Sequence, residues 1–169
     1  TWTFTLRDGL EFHDGAPVTS ADVVASIKRW ASRDSFGGVL AKSVAEYAAP
    51  DAKTFVIKLK APFGVMLEAL GKPSSNVPFI MPARVAATPG SEQIKDNIGS
   101  GPYKFVQAEY KPGEKLVYVK NDKYKSRAEA PDGTTGGKPV FVDRVEWVII
   151  RDPQTQFNAL VAGEVDIVE

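Results

Sequence analysis

His13 is the chain's only histidine, and there is no cysteine. An imidazole acts as general base or metal ligand only with partners at working distance, and none stands near His13 in a recognisable spacing. Asp14 is already explained, because Asp14-Gly15 is a turn pair in which the carboxylate can bond its own backbone and glycine tolerates positive φ. His13 therefore reads as a structural or surface residue. Gly99-Ser100-Gly101 has the look of a phosphate loop, but no Lys-Ser/Thr ending follows, and Pro102 has no N–H to offer an anion, so a plain turn is the reading. Glu164 and Asp166, two apart, would share a strand face, yet they follow a helix-ending glycine and read as solvated carboxylates. Lys111, Lys115, Lys120, Lys123 and Lys125 interleave with Tyr110, Tyr118 and Tyr124, a pattern that can bind single strands; Glu109, Glu114 and Asp122 dilute the charge, and a solvated hairpin is preferred. Ser35-Phe36-Gly37-Gly38 reads as a small-residue loop after a helix. The residues alone leave two readings open for it: backbone that a ligand can approach closely, or a helix stop whose Phe36 returns to the core.

These residues need elements to hold them. The stretch Phe12–Val23 combines a strand end, a turn at Asp14-Gly15, Pro17, and a helix start at Thr19 with Asp22 three residues on, a near match to a capping box. Val23, Val24, Ile27, Trp30 and Ala31 then recur at helical spacing, predicting a helix over about 20–32. Alternation predicts strands at 2–7 and Thr54–Leu59, with 43–49 pairing as a hairpin through the Pro50–Lys53 turn. A short helix is expected over Phe63–Leu70, with Phe63, Met66, Leu67 and Leu70 on one side. Lys72–Pro82, with Pro73, Pro78 and Pro82, is expected to be an extended crossing segment, and 82–87 a short helix. Strands are expected at Tyr103–Tyr110, Lys115–Lys120 and Val140–Ile150, and an exposed loop over 126–139. Asp152-Pro153 starts a helix with Phe157, Leu160 and Val161 buried; Gly163 ends it, and Val165–Val168 begins a strand.

Composition narrows the class. The 169 residues carry 21 Lys plus Arg against 21 Asp plus Glu, so nucleic acid, which needs a basic face, is not an expected partner. With 43% hydrophobic residues and no apolar run long enough to span a bilayer, a cored fold without direct membrane insertion is expected. The chain starts and stops inside apolar alternation, the expectation for a piece of a longer protein. No cofactor, metal or catalytic residue is assigned, and an enzyme is not expected.

Five segments in order carry a resemblance. Trp2 to Thr19 (Trp-Thr-Phe-Thr-Leu-Arg-Asp-Gly-Leu-Glu-Phe-His-Asp-Gly-Ala-Pro-Val-Thr), Asp51–Pro62, Ile98-Gly99-Ser100-Gly101-Pro102-Tyr103-Lys104-Phe105, Asn121-Asp122-Lys123-Tyr124, and the run from Val145-Glu146-Trp147 through Asp152-Pro153-Gln154-Thr155 to Ala162–Ile167 resemble the family 5 extracellular solute-binding proteins. These are the peptide/nickel class of periplasmic components of ABC importers. Asp122 stands where that family usually has proline.

The resemblance implies a mixed α+β or α/β fold, part of a class II-like periplasmic-binding-protein architecture. Residues 1–77 would be a portion of the small extra domain, and 78–169 a portion of a main lobe. It implies a non-enzymatic receptor that captures a small solute, most readily an oligopeptide or dipeptide, and delivers it to ABC permease membrane subunits. The full-length protein would be periplasmic, or lipid-anchored outside the cytoplasm. Ser35, Phe36, Gly37 and Gly38 become ligand-proximal candidates, with the ligand's charge partners largely in the other lobe. Residues 1–169 alone would then bind poorly. The competing readings are an envelope interaction domain without transport and, behind it, a hydrolase.

Overall fold

A computed structural model describes residues 1–73 and 76–168. The chain divides into two compact units, Thr1–Lys104 with Asn121–Pro139, and Phe105–Lys120 with Val140–Glu169.

In the first unit, β1 (Trp2–Thr5) and β2 (Val44–Ala48) flank β3 (Thr54–Leu59), both antiparallel to it. β3 is central because its Phe55 and Ile57 face the core; Ile57 is fully buried, which favours folding by about 1.5–3 kcal/mol. Phe4 stacks on Phe55 with ring centroids 4.6 Å apart. Helix α1 (Ser20–Ala31) lays Val23, Ile27, Trp30 and Ala31 into the same core, as its spacing predicts, while Val24 is only partly buried. Its start uses Asp22 for three tasks. One carboxylate oxygen accepts from the Thr19 N–H at 2.8 Å and the Thr19 hydroxyl at 2.6 Å. The other accepts from the Ala83 N–H at 2.7 Å. Farther along α1, Ser26 and Met81 exchange two hydrogen bonds, the Ser26 hydroxyl donating to the Met81 carbonyl and accepting from its N–H. Arg29 donates to the carbonyls of Thr88 and Glu92. Residues 81–92 are thus tied to α1, and they belong to its unit.

Several local expectations are corrected. Residues 35–38 are not a loop: α2 runs Ser35–Ser43. The helix expected over 63–70 begins only at Met66 (α3, Met66–Leu70), with Ala69 buried and Leu67 exposed. Helix α4 covers Ala83–Ala86, with Pro82 at its cap. The segment 72–82 has no regular structure where it is described; 74 and 75 lie outside the described residues. The 126–139 loop is mostly exposed, as expected.

In the second unit, β5 (Lys115–Lys120) pairs antiparallel with β6 (Arg144–Val148), from Lys115 opposite Val148 to Val119 opposite Arg144. β6 is shorter than the 140–150 expectation because β5 offers it only this much partner. β4 (Tyr103–Phe105) enters this unit at Phe105 and stops well short of Tyr110. After Val106 bonds the Val117 carbonyl, the backbone folds into a 3-10 turn at Gln107–Glu109, held by Arg144 on the Glu109 carboxylate. Helix α5 (Pro153–Val161) starts as expected, with Asp152 accepting from the Thr155 N–H at 2.8 Å. It ends in a Schellman motif: Glu164 donates to the Ala159 carbonyl and Gly163, at φ +72°, to that of Leu160. Its apolar stripe is not buried. Phe157 and Val161 are exposed and only Ala159 is covered, because no described residue of this unit packs on that face. Val165–Val168 forms no strand, having no ladder partner among the described residues.

Candidate functional site

The candidate residues Ser35–Gly38 sit on the elbow between α1 and α2. Asp34 makes this elbow. Extended at φ −90° and ψ 135°, it accepts from the Gly37 N–H through Oδ1 at 2.8 Å, which caps α2. Its other oxygen pairs with Lys72 Nζ at 2.5 Å. The two side chains are only 7% and 17% exposed, so this is an enclosed pair rather than a surface one. The Lys72 hydrogen bond, then that of Gly37, holds the Asp34 carboxyl below its ordinary value, against a smaller opposing effect of burial. The Lys72 ammonium also lies 5.8 Å from the Trp30 ring centroid, and the Trp30 indole N–H donates to the Asn76 carbonyl.

The four candidates differ within the first turn of α2. Ser35 is exposed. Phe36 is partly buried, its ring 6.4 Å from that of Phe63 at a tilt of 52°. Gly37 is buried, and its smallness is used by the protein itself: a Cβ there would lie 2.9 Å from Ala31 Cα and 3.0 Å from two Trp30 ring carbons. The close approach that glycine permits here is helix to helix. Gly38 is partly open, and a Cβ there would meet only the Ala31 carbonyl, at 3.7 Å. The face thus presents a hydroxyl and the accessible part of an aromatic ring. The nearby Lys72 ammonium is paired with Asp34. The helix was legible in principle: Asp34 is a good N-cap three residues before Gly37. The Gly37-Gly38 pair, read as a breaker, hid it.

The other candidates fall apart as sites. Four lysines in 111–123 are already paired with carboxylates: Lys111 with Glu114, Lys115 with Glu146 at 3.1 Å, Lys120 with Asp143, and Lys123 with Glu11. Glu164 and Asp166 are exposed. His13 is held between backbone groups of Gly99 and Gly101, so the turn at 99–102 and the histidine are one structure, a link the sequence reading missed. Among the described residues, no group of three or more His, Asp or Glu side chains is placed to hold a metal ion, and no helix is long and apolar enough to cross a membrane.

Comparison with known proteins completes the description. A probable peptide ABC transporter periplasmic-binding protein of Sinorhizobium fredii is 49% identical over 168 residues, which cover 98% of this chain and 31% of that one. The probable D,D-dipeptide-binding periplasmic protein of Escherichia coli is 29% identical over 99% of this chain and 30% of its own. The chain therefore spans about 30% of the length of these relatives. Among solved structures, the periplasmic binding protein AgaA of Agrobacterium tumefaciens, in complex with agropinic acid, superposes with a TM-score of 0.71 at 32% identity, covering 96% of this chain and 30% of that one. NikA of Brucella suis, in complex with Fe(III)-EDTA, gives 0.72 at 28% identity over the same shares. The fold is that of periplasmic binding proteins, mixed α/β. The model of the middle part of the bacterial extracellular solute-binding proteins, family 5, matches residues 1–169, and the chain belongs to that family.

Proposed function

We propose that this chain is part of the substrate-binding component of an ABC importer, one that captures an oligopeptide or dipeptide and hands it to permease subunits in the membrane. The observation that carries the reading is the 49% identity, over almost the whole chain, to a protein described as peptide-binding. The family is one of solute receptors, in keeping with a binding role rather than a catalytic one. Capture requires contacts that favour the ligand-closed state over the open one, since a ligand shifts a conformational equilibrium only by its differential affinity. In this reading the protein works in the periplasm or from a lipid anchor outside the cytoplasm. Residues 1–77 lie in the small extra domain, 78–169 in a main lobe, and Ser35, Phe36, Gly37 and Gly38 stand near the ligand. Ser35 and Phe36 offer the contacts, and Gly37 serves by bringing α2 against α1.

The test is mass spectrometry of solute co-purified with the full-length protein, followed by calorimetric titration with the identified compound. A dipeptide or an oligopeptide is the expected cargo. A second reading has a specific observation behind it: a relative of known structure holds agropinic acid. Recovery of such a compound, with no heat from peptides, overturns the peptide assignment. Amide shifts at 35–38 that stay unchanged on ligand saturation overturn the site.

A further inference from the structure

We propose that His13 is a tautomer-fixed latch, opened by protonation, that holds the Gly99–Pro102 turn against the Phe12–Ala16 turn. Both ring nitrogens face backbone. Gly99 N–H points at Nδ1 at 3.3 Å, and Nε2 lies 3.2 Å from the Gly101 carbonyl. A backbone N–H can only donate and a carbonyl can only accept, so Nδ1 is the acceptor and the neutral ring carries its proton on Nε2. The other tautomer satisfies neither contact, and turning the ring over puts carbon atoms at both. A further bond, from the His13 N–H to the Gly99 carbonyl at 2.8 Å, keeps the two turns in register.

The latch closes a larger knot. The Gly101 carbonyl also accepts from Asn121 Nδ2 at 3.0 Å, and the Asn121 N–H donates to the Pro102 carbonyl at 2.8 Å. Asn121 is buried, and its Oδ1 accepts from the Lys123 N–H. Three segments far apart in sequence, 12–15, 99–102 and 121–124, therefore converge on one carbonyl. The first turn is itself rigid: Gly15 sits at φ +88°, and Asp14 Oδ1 accepts from the Ala16 N–H.

A second proton on the ring must go to Nδ1, where it meets the Gly99 N–H head on. Two donors then oppose each other in a part-buried place, and the contact is lost. The charged groups around the ring are committed elsewhere. Asp14 pairs with Arg84 at 3.1 Å, and Arg84 with Asp96 at 2.8 Å. Glu11 pairs with Lys123 at 3.3 Å, and Asp122 beside Asn121 is exposed. None of these contacts supplies an acceptor at Nδ1. The latch is thus closed with the ring neutral and opens when the ring takes up the second proton.

The experiment is hydrogen–deuterium exchange by mass spectrometry on the full-length protein at pH 8 and pH 5.5, corrected for intrinsic exchange. Protection of the peptide spanning 97–103 is expected to fall about five- to tenfold at the lower pH, the worth of one such hydrogen bond. Protection over 54–59 stays constant. His13→Asn keeps an acceptor near the Nδ1 position and cannot protonate, so its 97–103 protection shows no step. If that variant fails to fold, the wild-type comparison of 97–103 with 54–59 decides. A constant protection at 97–103, an equal fall in both peptides, or an equal step in His13→Asn overturns the proposal.

Discussion

Gly37 and Gly38 are adjacent, helical and identical in type, yet they face different surroundings, so adding one methyl group to each is an internal control. In Gly37→Ala the new Cβ meets Ala31 Cα at 2.9 Å and two Trp30 ring carbons at 3.0 Å. Ordinary contact needs roughly 3.5–4.0 Å. The Ala31 backbone is fixed inside α1, and Trp30 is held by its indole bond to Asn76. Relief therefore requires α2 to back away from α1, which strains the Asp34 cap on the Gly37 N–H. Overpacking of this kind costs about 1–3 kcal/mol. Alanine returns at most about 1 kcal/mol in helix propensity. The net expectation is a loss of about 1–2 kcal/mol, near the middle of that difference. In Gly38→Ala the contact is an ordinary 3.7 Å to the Ala31 carbonyl, so only the propensity gain remains. This variant should be neutral or up to about 1 kcal/mol more stable. Urea denaturation of the protein carrying this chain, monitored by tryptophan fluorescence, measures both. A Gly37→Ala variant as stable as the parent, or a Gly38→Ala variant destabilised equally, would refute the assignment of Gly37 to helix–helix packing.

Two further outcomes follow from the α1 surroundings. Asp22→Ala strips acceptors from the Thr19 N–H, the Thr19 hydroxyl and the Ala83 N–H together, and should cost about 2–3 kcal/mol in urea denaturation, the scale of leaving buried donors unpaired. Asp34 sets an acid limit: its carboxyl is depressed in the folded protein, first by Lys72 and then by the Gly37 N–H, so the unfolded chain binds this proton first as pH falls. The stabilisation is whole above the unfolded carboxyl value of about 4 and is lost below it; melting temperatures from pH 7 to 3 should fall less steeply in Asp34→Asn than in the parent, and parallel curves would contradict the pairing.

Elements that depend on their own residues were legible in the sequence. The alternation of Phe55, Ile57 and Leu59 needs nothing beyond a sheet face, and the spacing of Val23, Ile27 and Trp30 nothing beyond a core. The start of α5 is local too, since Asp152, Pro153 and Thr155 satisfy the helix end among themselves. The family was likewise readable, because motif order is a property of the chain. What failed were inferences about partners. In α3 Ala69 is buried and Leu67 exposed, since the tertiary neighbours and not the side chains' apolarity choose which face of a short helix is covered. Phe157 and Val161 look like core residues and are exposed, since a stripe is buried only where something lies on it.

The candidate site shows the same division. Its residue types were visible, but the glycine pair spoke for a loop, and only the packing of α2 on α1 shows that Gly37 is glycine to clear Ala31 and Trp30. Lys72 is 38 residues from Asp34, and no short-range pattern links them. His13 is the sharpest case. From sequence it was one unpartnered imidazole beside a turn. In the fold both of its nitrogens are taken by backbone some 86 to 88 residues away, because backbone donors and acceptors carry no sequence label. Local propensity and motif order determined the elements and the family. Only tertiary contact decided which glycine is structural, which faces are covered, and what the lone histidine holds.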